Sequence, residues 1–145
     1  MPASTTFRTQ LLNLIFNNQA IADIGDAGGL QPSAADGDLY ISLHTADPNS
    51  GDQSTSEATY TSYARVAVTR DGTGWTVATG SVENDSPVSF PTSTGGVNSI
   101  THFGIGVDPS GAGLLLISGA LGVAFPVTSG VTPAFPAGSL TGSVI

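Results

Sequence analysis

Two histidines and the polar residues around them are the groups of this chain that could perform chemistry. His44 lies three residues before Asp47, and Ser42 falls on the same face of the same short segment. Such a set could supply a general base, a carboxylate that orients it, and a hydroxyl. No nucleophile-elbow pattern such as G-x-S-x-G accompanies it. We therefore expect His44 to be a strand histidine bonded to a neighbour or to water, His102 to be a surface or interface histidine, and the protein not to be an enzyme.

Metal and cofactor sites lack their usual patterns. The chain has no cysteine, and its two histidines could hold zinc only with help from carboxylates. Four aspartates crowd one stretch that is rich in glycine: Asp23, Asp26, Asp36 and Asp38. They lack the alternating oxygen ligands and the distal glutamate of an EF-hand, so we expect solvated turn carboxylates. Gly104 and Gly106 lie inside a predicted strand with no helix after it, which excludes a nucleotide loop. We expect no metal and no cofactor.

The charge balance excludes two classes of partner. Three arginines and no lysine face 11 acidic residues, which gives a formal net charge of −8. Nucleic acids and anionic membranes are both bound through clusters of lysine and arginine, so we expect neither as a partner. The longest apolar run, residues 114–117, is far too short to cross a bilayer. The N-terminus does not have the pattern of a signal peptide.

The surface is expected to be poor in ions. Only 10% of the residues are charged, whereas an ordinary globular domain has about 25%. Glycine, serine, threonine, alanine, asparagine and proline replace them. This composition suits an assembly in which neighbours cover much of the surface. The alternative is a soluble β domain with neutral loops.

One helix is predicted near the N-terminus, at about residues 6–17, with Ser4, Thr5 or Thr6 as its cap. Apolar residues at helical spacing form a stripe that could bind a partner, with residues 12 and 16 widening it: Phe7, Leu11, Leu14 and Ile15. The stripe is either an arm that docks on a neighbour or a lid on the protein's own core. A glycine- and aspartate-rich loop at 25–38 follows. We therefore divide the chain into a helical segment with its loop, 1–37, and a β domain, 38–145.

The rest of the chain has the period of strands. They are predicted at about 39–44, 63–70, 75–82, 88–90, 99–107 and 113–121, followed by short strands broken by prolines. The turn at 108–111 joins two of them as an antiparallel hairpin. Residues 114–117 are apolar on both faces, which predicts a central or covered strand. The polar loop 49–59 shows no apolar anchor. The fold class is mainly β: an antiparallel sandwich or small jelly-roll-like barrel with an N-terminal helix.

Five segments carry a resemblance to a known group of proteins: LYISLHTADP at 39–48, SYARVAV at 62–68, SPVSFPTSTG at 86–95, ITHFGIGVD at 100–108, and the tail from LLLISGAL at 114 to the end. Taken in this order, they resemble small structural proteins of tailed bacteriophages, either tail-fibre-like or capsid cement (decoration) proteins. The resemblance covers roughly residues 7–145. It implies a helical segment followed by a compact β domain, commonly trimeric, and no catalytic residues.

The leading functional expectation is a capsid cement protein that stabilises the phage head. It would bind the major capsid protein and further copies of itself as a homotrimer on the capsid surface of the virion. A tail fibre or baseplate component is the alternative. A third hypothesis is a carbohydrate-binding β-sandwich, in which four aromatic side chains would offer stacking faces: Tyr40, Tyr60, Tyr63 and Trp75.

Overall fold

The computed structural model describes every residue from Met1 to Ile145. It contains one helix, α1 (Thr5–Phe16), and nine strands: β1 (Asp38–His44), β2 (Val66–Thr69), β3 (Trp75–Ala78), β4 (Ser81–Asn84), β5 (Val88–Ser89), β6 (Asn98–Gly106), β7 (Leu115–Val127), β8 (Ala134–Phe135) and β9 (Thr141–Ser143). Its single helix is too short to cross a bilayer.

The strands form three sheets, in the orders β2-β1-β6-β7, β3-β4-β9 and β5-β8. The pairings β1–β6, β6–β7, β3–β4, β4–β9 and β5–β8 are antiparallel. The predicted class, a mainly β antiparallel fold with an N-terminal helix, is confirmed, and no closed barrel is formed.

The chain divides into two compact units. The first consists of Met1–Asp38, Thr69–Pro87 and Pro136–Ile145, and the second of Leu39–Val68 and Val88–Phe135. The N-terminal segment therefore folds together with two later stretches of the chain. The proposed division into domains 1–37 and 38–145 stays a prediction.

In the first unit, α1 packs on strands β3 and β4. The Ser4 side chain caps the helix, since its Oγ accepts a hydrogen bond from the Phe7 N–H at 3.2 Å. Leu12 and Phe16 are fully buried, and the Phe16 ring meets the Trp75 ring edge-on, with centroids 4.9 Å apart. The buried face of the helix is thus formed by the two residues that widen the predicted stripe, and not by the four residues of the stripe itself.

Two arginines tie the ends of α1. The Arg70 guanidinium donates to the Ile15 carbonyl at 2.6 Å and the Leu14 carbonyl at 2.8 Å, so it satisfies orphan acceptors of the last turn. Near the other end, Arg8 Nη1 donates to the Val144 carbonyl at 3.4 Å. That bond joins the N-terminal helix to the last residues of the chain within the first unit.

The single strand predicted at 75–82 is wrong. The segment is a hairpin of β3 and β4, joined by Thr79 and Gly80, whose φ angles are 54° and 81°. Two consecutive positive φ angles match the twist of an antiparallel pair, and glycine adopts one of them freely. Threonine at the other position is an unusual choice, which is why residue type alone did not mark the turn.

In the second unit, strands β1 and β6 pair antiparallel, with Ile41 opposite Ile105 and Leu43 opposite Phe103. These four side chains are buried. Gly106 lies on this strand pair, where a Cβ atom would overlap the Gln53 side chain. The glycine in the strand therefore marks a close approach of the Gln53 side chain.

The hairpin predicted around residues 108–111 is confirmed, since β6 and β7 pair antiparallel. The predicted central position of residues 114–117 is wrong. Strand β7 is the last strand of its sheet, and Leu114, just before it, is 63% exposed. Apolar residues on both faces, as at 114–117, are typical of a strand that is covered on both sides. In this chain, however, no strand pairs with the outer edge of β7.

The loop at 49–59, expected to lack an apolar anchor, is in fact held by buried residues. Ala58 is buried, and so is the Gln53 side chain. The Gln53 Oε1 accepts from the Asp108 N–H at 2.9 Å, and its Nε2 donates to the Asp108 carbonyl at 3.3 Å. A side-chain amide thereby pairs with both backbone groups of one residue in the β6–β7 turn.

Candidate protein-binding surface

In the structure, the side chains of Ser42 and His44 lie close together but are buried away from solvent. The Ser42 Oγ lies 2.8 Å from His44 Nε2, and His44 Nδ1 lies 2.8 Å from the Thr55 carbonyl oxygen. Because a carbonyl can only accept, Nδ1 carries the proton and Nε2 accepts from the serine hydroxyl. Burial lowers the pKa of His44 below its ordinary value, which favours this neutral form. Both side chains are fully buried, so a substrate cannot reach them.

Asp47, the carboxylate considered as the orienting partner of His44, instead accepts from the Asn49 N–H at 3.0 Å. His102 is half-buried, and its Nδ1 lies 2.8 Å from the Thr101 hydroxyl. It lines a shallow polar depression together with Asp47, Asn49 and the backbone-rich stretch 118–120. Ser42, His44 and Asp47 therefore do not form the arrangement of hydroxyl, base and orienting carboxylate considered from the sequence.

An ion pair missed by sequence reasoning holds the second unit together. Arg65 Nε and Nη2 each donate to the Glu57 carboxylate, at 2.7 and 2.8 Å. The Tyr63 hydroxyl also donates to Glu57, at 2.8 Å. Burial is the main cause that raises the pKa of Tyr63, so the phenol stays protonated as a donor.

The same guanidinium reaches the β6–β7 turn. It donates to the Asp108 carbonyl at 2.8 Å and to the Gly111 carbonyl at 2.6 Å. Only 2% of the Arg65 side chain is exposed. An arginine eight residues after a glutamate has no helical or strand spacing that would identify the pair, because the chain between them is irregular. Four of the five guanidinium N–H groups are therefore bonded within the protein.

Two of the four aspartates considered for calcium accept hydrogen bonds within the chain. Asp26 Oδ1 accepts from the Gly28 and Gly29 N–H groups at 2.8 and 3.2 Å, and Asp36 Oδ1 accepts from the Asn18 amide at 3.1 Å. No group of three or more histidine, cysteine, aspartate or glutamate side chains is assembled as a metal ion would require.

The aromatic side chains considered for carbohydrate stacking are largely enclosed. Trp75 is buried beside Phe16, and Tyr60 is buried with its hydroxyl donating to the Pro91 carbonyl at 3.0 Å. Tyr63 stacks near Phe90, with centroids 6.3 Å apart. The strongest candidate platform, the indole of Trp75, is therefore not open to a sugar ring.

The residues predicted for partner binding on α1 stay accessible to different degrees. Phe7 is 39% exposed, and Leu11, Leu14 and Ile15 are partly buried. They remain candidates for contact with a partner, and their role stays a prediction.

A second apolar surface lies beside β7, and sequence reasoning did not single it out as a contact. It is a groove of about 200 Å³ whose lining is entirely uncharged: Leu43, Ile100, Leu121, Val123, Phe125, Pro133, Ala134 and Phe135. Val123, on one lip, is 83% exposed. No charged residue occurs anywhere after Asp108 in the sequence. An exposed apolar patch without charge is typical of a surface that another protein covers.

One comparison with known proteins gives a match. The family model described as "Podophage GP4 fiber I protein gp80" matches residues 2–143. No curated protein matches the chain. The resemblance to small structural proteins of tailed phages is thereby confirmed.

Proposed function

The chain belongs to the family of the podophage GP4 fiber I protein gp80, and on that premise we propose that it is a structural component of a phage tail fibre. The observation that carries this proposal is the extent of the match, from residue 2 to residue 143. The matched range includes α1 and all nine strands. The likeness therefore belongs to the whole fold and not to one shared segment.

The protein acts by contact and not by catalysis. Supporting this is the bonded state of its polar side chains. The Ser42–His44 pair is buried and bonded, and the Arg65–Glu57 pair is bonded to backbone and to Tyr63. The surface instead consists largely of neutral loops and apolar side chains, which can form contacts with other proteins.

Its partners are other virion proteins and further copies of the chain, and the homotrimer stays an expectation of the resemblance. Nucleic acid and membranes are not among them. In support, all three arginines donate hydrogen bonds within the protein: Arg8, Arg65 and Arg70. With no lysine in the chain, no basic face is left to neutralise phosphates.

A capsid cement role, with the major capsid protein as partner, is the second candidate. The charge-poor surface suits either position, and both place the protein in the virion. The family description names a fibre, so it supports the tail better than the head.

A cryo-EM map of the virion tests the proposal. We expect the structure to fit density on the tail, and the same density to vanish from particles in which the Gln10 codon is replaced by a stop codon. Density that vanishes from the capsid surface instead would support the cement role. Particles identical with and without the protein would contradict both.

A further inference from the structure

Strand β7 is an open edge of the four-stranded sheet. It pairs with β6 alone, so the outward N–H and C=O groups of its backbone have no strand partner. The pairing with β6 is regular from Ile117 to Ala120. Register shifts place Leu116 and residues 121–124 outside the ladder, and pairing resumes from Phe125 to Val127. Proteins usually protect such edges with charged residues or proline. The stretch from Leu115 to Ala120 contains neither.

The side chains of this edge add to the effect of its backbone. Leu115, Leu116 and Ile117 follow one another, so apolar side chains stand on both faces of the strand, and all three are partly exposed. Beyond them, Val123 projects from the displaced segment beside the apolar groove. Free backbone groups and uncovered apolar side chains therefore occur on the same strand.

The distribution of charge identifies the occupant as a second copy of the chain. Two copies with a net charge of −8 repel each other wherever their acidic residues approach. All 11 acidic residues lie at or before Asp108, and β7 and the groove-lining residues carry none. The β7 edge is thus a surface on which two copies can meet without placing like charges opposite each other.

The other edge of the same sheet is a poorer target. Strand β2 has only four residues, Val66–Thr69, and it stands between Arg65 and Arg70 in the sequence. Pairing of β7 with β2 of another copy would match a strand of 13 residues with one of only four. Pairing of β7 with β7 has no such mismatch.

We infer that two copies of this chain associate through their β7 edges, with Ile117–Ala120 of each pairing antiparallel about a two-fold axis. Strand addition of this kind supplies affinity through backbone hydrogen bonds, and the flanking apolar side chains supply specificity. The two four-stranded sheets then continue as one. A two-fold contact builds even-numbered assemblies, so it competes with the homotrimer that the resemblance implies.

The inference goes beyond the fibre role, because it concerns the isolated protein in solution. If a virion map placed the protein on the capsid, the fibre proposal would fail, but the inference about the β7 contact would not be affected. Conversely, a protein that never self-associates could still occupy a fibre.

Sedimentation equilibrium of the purified full chain tests the contact, with two matched variants. Ala120 lies on β7 and Ala67 lies on β2, and both are exposed. We expect wild type to associate from the 14.5 kDa chain into a dimer. Ala120→Lys should weaken the dimer at least about tenfold, because a lysine on an edge strand opposes pairing with another strand. Ala67→Lys, with the same change of charge, should leave the dissociation constant unchanged.

Hydrogen exchange gives a second readout that does not depend on the variants folding equally well. In concentrated wild-type protein, amides within Ile117–Ala120 should exchange more slowly than in dilute protein, while those of Val66–Thr69 should not change. A monomer at all concentrations, a trimer, or equal weakening by both lysine variants would overturn the inference. So would protection that rises elsewhere and not on β7.

Discussion

The two edges of the four-stranded sheet are built in opposite ways. On the β2 side, polar groups are buried and bonded: Arg65 with Glu57, Tyr63 with the Leu43 N–H at 3.1 Å, and His44 with Ser42. On the β7 side, 13 residues carry no charge and leave apolar side chains open. The β2 side of the sheet thus has charged and polar side chains that bond within the chain, and β7 has no charged side chain.

The difference teaches how a chain with few charges uses them. Two of its three basic residues flank β2 and bond within the protein. They serve the fold and not a ligand. The β7 side has only contact area to offer, so loss of a side chain there should affect association more than stability.

The largest effect on stability is expected on the β2 side. Arg65→Ala leaves the Glu57 carboxylate without its cation, and the Asp108 and Gly111 carbonyls lose a donor. Breaking such a pair costs about 3 kcal/mol of unfolding free energy, and urea denaturation followed by Trp75 fluorescence and far-UV circular dichroism measures it.

Arg65→Lys is the control for this loss, since it keeps the charge but not the two parallel hydrogen bonds, and it should fall between wild type and Arg65→Ala. A change below about 1 kcal/mol for Arg65→Ala would show that the cluster is as weak as an exposed ion pair. The contrast between the two edges would then be lost.

A smaller effect is expected from acid, through His44 on the same side. Its pKa in the folded protein is lowered, mainly by burial. Below the ordinary histidine value of about 6.5, the unfolded chain binds a proton that the folded chain refuses. Stability should therefore be full above that pH and fall as the pH drops from about 7 towards 5.

Melting temperatures of wild type and His44→Gln across this range check the acid effect. The variant should show a flatter pH profile, whatever its stability at neutral pH. The pKa values of Asp52 and Asp71 are lowered by hydrogen bonds from Ser54 and Thr73, respectively, so these carboxyls titrate at more acidic pH. Equal slopes for both proteins would assign the acid effect to groups other than His44.

The smallest effect is expected on the β7 side. Val123 is 83% exposed, so Val123→Ala should change the unfolding free energy by no more than about 0.5 kcal/mol. The same urea titration measures it, at a protein concentration low enough to keep the chain monomeric. A loss above about 1 kcal/mol would mean that the displaced segment is part of the core.

Local patterns predicted much of the fold. Alternation located β1 and β6, the turn residues at 108–111 joined β6 to β7, and one of the three residues predicted as possible caps, Ser4, caps α1. These features depend on residues that are close in sequence.

What remained hidden depends on contacts between distant residues. Periodicity could not reveal that the N-terminal segment folds with 69–87 and 136–145, nor that β7 is an edge strand. The face of α1 that is buried, Leu12 and Phe16, was not separable from its neighbours because apolar residues surround much of the helix. The Arg65–Glu57 pair follows no regular spacing. The groove at β7 draws on residues from 43 to 135.

The first unit has a mechanical consequence. It contains both the first and the last residues of the chain, tied by Arg8 to the Val144 carbonyl and by β9 to β4. The second unit is inserted between them. Tension applied between the two ends is therefore resisted first by these bonds within the first unit.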